Sequence, residues 1–77
     1  MEYLGLFFTH SGAIKFKRIL DAKSSPCELM PVPRKLSSNC GICAKFYSES
    51  VEDDINDEVE KIYQVSDEGY KLIYDAE

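Results

Sequence analysis

No apolar run in this 77-residue chain approaches the roughly 20 residues that a membrane-crossing helix needs. The opening Met1-Glu2-Tyr3-Leu4 has neither the basic region nor the small-residue cleavage site of a secretory signal. A cytoplasmic protein with no membrane partner is therefore expected. Histidine occurs once, at His10, and no Ser-His-Asp set, paired-carboxylate arrangement or glycine-rich phosphate motif is visible. The common signatures of hydrolysis and phosphoryl transfer are thus missing, and a carrier or accessory protein is expected rather than a turnover enzyme. One C-x-x-C, a lone His10 and a distant Cys27 are too few for the four ligands of a closed zinc site. No metal and no other cofactor is expected.

The length leaves room for one domain, 1–77, and no second core. A domain this small buries only about 60% of the surface its unfolded chain exposes, so it cannot enclose a large active site of its own. Any ligand must sit on a loop, on an open sheet face or between subunits. Hydrophobic residues at 44% and charged residues at 30% are a globular composition. Acidic residues outnumber basic ones 14 to 9, for a net charge of −5, which repels a polyanion. The basic residues fall in two groups (Lys15, Lys17, Arg18 and Lys23; then Arg34 and Lys35), and the acids concentrate between Glu49 and Glu60.

Tyr3-Leu4-Gly5-Leu6-Phe7-Phe8 is short, apolar and aromatic, a strand signature. Thr9 or Ser11 suits the cap of a helix whose apolar positions are Ala13, Ile14, Phe16, Ile19 and Leu20. Ser24-Ser25-Pro26 ends it. Cys27 to Met30 reads as a brief second strand, stopped by Pro31 and Pro33. Ile42 to Tyr47 alternates, with Ile42, Ala44 and Phe46 on one face and Cys43, Lys45 and Tyr47 on the other. Asp53 to Gln64 reads as a second amphipathic helix with Val51, Ile55, Val59, Ile62 and Tyr63 on its apolar side. Ser66-Asp67-Glu68-Gly69 ends that helix, and Tyr70 to Tyr74 makes a fourth strand.

The order βαββαβ predicts an α+β, ferredoxin-like fold: a four-stranded antiparallel sheet with two helices on one face. In that arrangement the end of the first strand, the start of the first helix and the loop between strands two and three share one end. His10, Ser11 and Gly12 should then approach Arg34 and the segment Ser37 to Gly41. Tyr3, Phe7, Tyr47 and Tyr74 are placed on the helix-free face. Aromatics there raise RNA binding, but the third strand lacks the basic–aromatic pattern and the net charge opposes it. No nucleic-acid partner is expected; the apolar patch suits a homodimer better.

The loop from Pro31 to Cys43 carries the candidate chemistry. Cys40 follows small polar residues and the basic pair Arg34-Lys35, and Gly41 lets the backbone turn and leaves the sulfur accessible. Thiolate is the nucleophile, and helix N-termini, Arg, Lys or imidazolium nearby favour it. Three-residue spacing on entering a strand sends the side chains of Cys40 and Cys43 to opposite faces. Cys43 is accordingly a resolving thiol only if Cys40 stays in the turn.

At Met30-Pro31-Val32-Pro33-Arg34-Lys35-Leu36-Ser37-Ser38-Asn39-Cys40-Gly41 the chain resembles the small selenium/sulfur carrier protein-like family, whose members show Pro-x-Pro-Arg and then Ser-Ser-x-Cys-Gly between a second and a third strand. The strand running into Thr9-His10 looks similar too. The resemblance implies a carrier whose motif cysteine, matched by Cys40, holds sulfur or selenium, with Pro33, Arg34, Ser37, Ser38 and Gly41 matching the rest of the motif. Cys43 is an addition to that pattern. The expected function is transfer of a persulfide or selenopersulfide on Cys40 between a donor such as a cysteine desulfurase and an acceptor enzyme. Arg34, Ser37, Ser38, Gly41 and His10 would hold the anion, and Cys43 would release the cargo by disulfide formation. The competing reading is a non-catalytic module that dimerises through its open sheet and docks on a partner enzyme by its acidic second helix or the Pro31–Cys43 loop. A third is a thiol–disulfide switch between Cys40 and Cys43.

Overall fold

The computed structural model describes residues 1–36 and 40–77. Ser37 and Ser38, both placed in the site by the sequence, lie outside the described residues. The elements are β1 (Glu2–Phe7), α1 (His10–Ala22), β2 (Cys27–Pro31), β3 (Ile42–Tyr47), a single 3-10 turn (Val51–Asp54), β4 (Val59–Ser66) and β5 (Gly69–Asp75). Every neighbouring pair is antiparallel, in the order β2-β3-β1-β4-β5. The α+β class holds. The four-stranded, two-helix ferredoxin-like arrangement does not: among the described residues there are five strands and one α-helix.

The correction falls between Asp53 and Gln64. Asn56 turns the chain there, its side-chain Oδ1 accepting the Glu58 backbone N–H at 2.9 Å and its carbonyl accepting that of Val59 at 3.1 Å. A side chain that bonds the backbone two residues on competes with helix formation. From Val59 the β-branched and aromatic residues pair with β1 instead. Asp67 and Glu68 are not a helix end; they form the two-residue loop of a hairpin in which Ser66 faces Gly69. Gly69 has φ +115°, a conformation L side chains rarely adopt. With no second helix, the expected docking contact on it disappears.

α1 starts where Thr9, in extended conformation, accepts the Gly12 N–H on Oγ1 at 3.0 Å. Its inner face, with Ala13, Phe16 and Leu20, covers one side of the sheet. Against it stand Tyr3, Phe7, Ala44, Phe46, Val59 and Ile62, with Tyr74 at the margin. Tyr3, Phe7 and Tyr74 therefore pack on the helix side and not on the helix-free face where the sequence placed them. The register explains this: Tyr3, Gly5 and Phe7 alternate with Leu4 and Leu6, and it is the leucines that point away from the helix.

A smaller cluster of Leu4, Leu6 and Cys43 is buried on the far side, with Met30, Val32, Leu36, Tyr63 and Val65 packed against it. Val32 and Leu36 belong to the first, described part of the β2–β3 connection, and this part packs back over this end of the sheet.

Candidate functional site

The pairing of β2 with β3 closes at Pro31 opposite Ile42, and Val32 N–H donates to the Gly41 carbonyl at 3.2 Å just beyond it. This cross-link puts Cys40 at the root of the connection. Gly41 takes φ +77°, and a side chain there would meet open space, so the strain of substitution is in the backbone alone. A tight turn follows Pro33, with Leu36 N–H donating to the Pro33 carbonyl at 3.0 Å, and Arg34 and Lys35 project from it into solvent.

The juxtaposition expected from the sequence forms at one point. His10, the first residue of α1, donates from Nε2 to the Cys40 carbonyl. Since a carbonyl only accepts, Nε2 carries the proton. The ring therefore ties the loop backbone to the helix start, and that nitrogen is not a base for the sulfur. The Cys40 thiol is half-buried at the edge of the main core and donates to the Ile42 carbonyl at 3.1 Å. Arg34 is exposed and makes no ion pair among the described residues.

Glu58 is the residue that sequence reasoning missed. The sequence pattern places it in a helix that does not form, whereas its carboxylate lies against the first turn of α1. A Cβ added at Gly12 would fall 2.6 Å from Glu58 Oε2 and 3.1 Å from Glu58 Cβ. Lys15 stands 3.6 Å from the same carboxylate. α1 has no acidic residue of its own in its first turn, so Glu58 supplies the negative charge that its positive end favours. That end is shared between Glu58 and the Cys40 loop.

The close approach makes Gly12 testable. Alanine in place of glycine inside a helix normally gains about 1 kcal/mol. Here Gly12→Ala is expected to lose about 1 kcal/mol in urea unfolding, because the methyl group displaces Glu58. Measured against a Glu58→Gly background, which removes both the carboxylate and the Cβ, the sign should reverse to a gain, and a gain in Gly12→Ala alone would contradict the contact.

Cys40 and Cys43 do diverge. Cys40 packs at the margin of the helix-side core, while Cys43 is 0% exposed in the opposite cluster, its sulfur 3.8 Å from the Pro31 carbonyl. Burial, and secondly the neighbouring Cys40, push the Cys43 thiol up to about 11. Cys27 sits half-buried at the other end of β2, opposite Phe46. Burial raises it to about 11 as well, with Lys17 opposing and Asp21 adding to the shift. A surface depression of about 510 Å³, lined by Lys23, Tyr47, Ser48 and Asp54 among others, also lies at that far end. Among the described residues no helix is long and apolar enough to cross a membrane, and no cluster of three His, Cys, Asp or Glu side chains could hold a metal ion.

Residues 2–71 match the family model described as "Putative Se/S carrier protein-like". No curated protein and no solved structure matches the chain.

Proposed function

Because the chain belongs to the Se/S carrier protein-like family, we propose that Cys40 is the atom-carrying residue, holding a persulfide or selenopersulfide for transfer from a desulfurase-type donor to an acceptor enzyme. The observation that carries this reading is the tie from His10 Nε2 to the Cys40 carbonyl. It holds the backbone of the motif cysteine beside the first turn of α1, whose positive end it shares with the Glu58 carboxylate.

The chemistry needs no external oxidant or reductant. The Cys40 sulfur attacks the outer sulfur of the donor's persulfide, and the donor's S–S bond breaks as the new one forms. The donor sulfur leaves with that electron pair and takes the proton Cys40 gave up. Donor and carrier thus exchange one sulfur atom for one hydrogen. Selenium transfer follows the same accounting. Delivery is the reverse, an acceptor nucleophile taking the outer atom while the electron pair stays on Cys40. Arg34, exposed and without an ion pair among the described residues, is the cation we assign to the terminal anion. Cys43, buried on the other side of the sheet, is not assigned a step.

The test is intact mass spectrometry after incubation with a cysteine desulfurase and cysteine. One added sulfur atom is expected, lost on treatment with a thiol reductant, and Cys40→Ser should acquire none. A wild-type chain that gains no sulfur from the enzyme or from glutathione persulfide would sink the reading, as would a Cys40→Ser chain loaded like the wild type.

A further inference from the structure

α1 differs in charge from the rest of the molecule. Residues 10–23 carry Lys15, Lys17, Arg18 and Lys23 against Asp21 alone, in a chain whose net charge is −5. Three of these cations have partners within the chain: Lys15 with Glu58 at 3.6 Å, Lys17 with Asp21 at 3.1 Å and Lys23 with Asp54 at 3.1 Å. Arg18 has none among the described residues.

The apolar content of the same face is also unspent. Ile14 and Ile19 are 43% and 41% exposed, on a helix whose Ala13, Phe16 and Leu20 already supply the buried stripe. At 3.6 residues per turn, Ser11-Lys15-Ile19 and Ile14-Arg18-Ala22 form two adjacent outward rows. Ser11, Ile14, Lys15 and Arg18 line a shallow depression between them. The rows begin one residue after His10, which is bonded to the Cys40 carbonyl, and Arg18 stands about 12 Å along the axis from it. A partner seated on these rows therefore borders the Cys40 backbone that His10 holds.

We propose that the outer face of α1 docks the protein that loads Cys40, and that the partner's contact surface is rich in carboxylates around an apolar centre. This rests on the carrier reading. Charge complementarity selects the occupant: a basic strip on an acidic protein attracts an acidic partner and turns its other faces away from it. Rigid β-branched Ile14 and Ile19 supply the dry contact at low entropic cost. Arg18 offers a planar fork for a carboxylate pair.

The experiment compares two sulfur sources for each chain, a cysteine desulfurase with cysteine and glutathione persulfide. Arg18→Glu breaks no ion pair among the described residues. It is expected to slow loading from the enzyme by about tenfold at low salt, with the deficit shrinking as salt rises. Loading from glutathione persulfide should be unchanged. Lys71→Glu, an equal change in net charge on β5, should load at the wild-type rate. Ile14→Ser should slow enzyme loading without salt dependence. Arg18→Glu loading from the enzyme at the wild-type rate would overturn the inference. So would a wild type that takes sulfur from glutathione persulfide but not from the enzyme, which leaves the chemistry of Cys40 standing. Loading from neither source removes the carrier reading itself and this inference with it. Normal loading of Arg18→Glu, with wild type but not variant sedimenting with anionic phospholipid vesicles, would overturn it in favour of a lipid surface.

Discussion

Phe46→Ala is expected to cost about 3–5 kcal/mol of unfolding free energy, the range for emptying a buried phenylalanine site. A 77-residue domain has in total about 4–12 kcal/mol to lose, so the variant should be largely unfolded on mild heating. Phe46 is fully buried at the meeting point of the two layers. Its ring lies 5.6 Å from that of Tyr3 on β1 and 5.0 Å, edge to face, from that of Phe16 on α1. Phe16 in turn lies 5.1 Å from Phe7. Removing Phe46 therefore breaks two of the three contacts in a chain of four rings and leaves α1 with a void beneath it. Relaxation is hindered because Gly5, the β1 residue between Tyr3 and Phe7, has no side chain to fill that void. The neighbour Tyr47 is the control. It is 46% exposed, its hydroxyl donates to Glu2 Oε1 at 3.2 Å, and Tyr47→Ala should change stability by no more than about 0.5 kcal/mol. Urea denaturation of the two variants decides the matter. A Phe46→Ala chain within 1 kcal/mol of wild type would mean that the aromatic chain does not hold α1 to the sheet.

Phe46 was legible in the sequence because β3 obeys a two-residue period without interruption from Ile42 to Tyr47. The Thr9 cap, α1 and the Pro-flanked β2 were legible for similar reasons, each boundary being marked by a residue with a local physical role. The second half misled for one identifiable cause. In the pairing of β1 with β4, Leu6 faces Lys61 and Phe7 faces Val59, so Glu60 is an extra residue in a bulge. The bulge puts Val59 and Ile62 on the same, helix-facing side of the sheet at a spacing of three. Three is a helical spacing. A strand with a bulge thus imitated an amphipathic helix, and the Asn56 turn that starts the strand reads in sequence as one more polar residue.

The same error hid part of the candidate site. The meeting of His10 with the Cys40 carbonyl is legible from the strand–helix–strand–strand order of the first half, which the structure keeps. Glu58 could be placed against Gly12 only by knowing that the chain turns at Asn56 and re-enters the sheet beside β1. Nothing in local composition marks that long-range return. The missing signal was negative: a helix with no acid of its own in its first turn had its compensating charge elsewhere in the chain.

Replacing Cys40 by serine is expected to leave a chain whose remaining thiols are nearly inert at neutral pH. Cys27 is raised from the ordinary 9.0 to about 11, so at pH 7 its thiolate fraction falls by about a hundredfold, and burial, the first cause of the upward shift at Cys43, persists when Cys40 is removed. The greater nucleophilicity of a more basic thiolate restores roughly tenfold of that loss. The net expectation for Cys27 is alkylation by iodoacetamide at about one-tenth the rate of an unstructured cysteine peptide. Cys43 should be slower still, since a fully buried sulfur reacts only when Leu36 and Val32 lift from the sheet. The pH profile carries the sign. An ordinary thiol levels off near pH 9, whereas Cys27 in the Cys40→Ser chain should still gain nearly tenfold in rate per pH unit from 8 to 10. Peptide mapping of partly alkylated protein measures each site separately. A Cys40→Ser chain that alkylates as fast as the wild type, or a Cys27 rate that plateaus at pH 9, would show that burial does not silence these sulfurs. On the carrier reading such silence protects the cargo, since a donor persulfide finds no reactive sulfur at Cys27 or Cys43 from which the acceptor could not collect it.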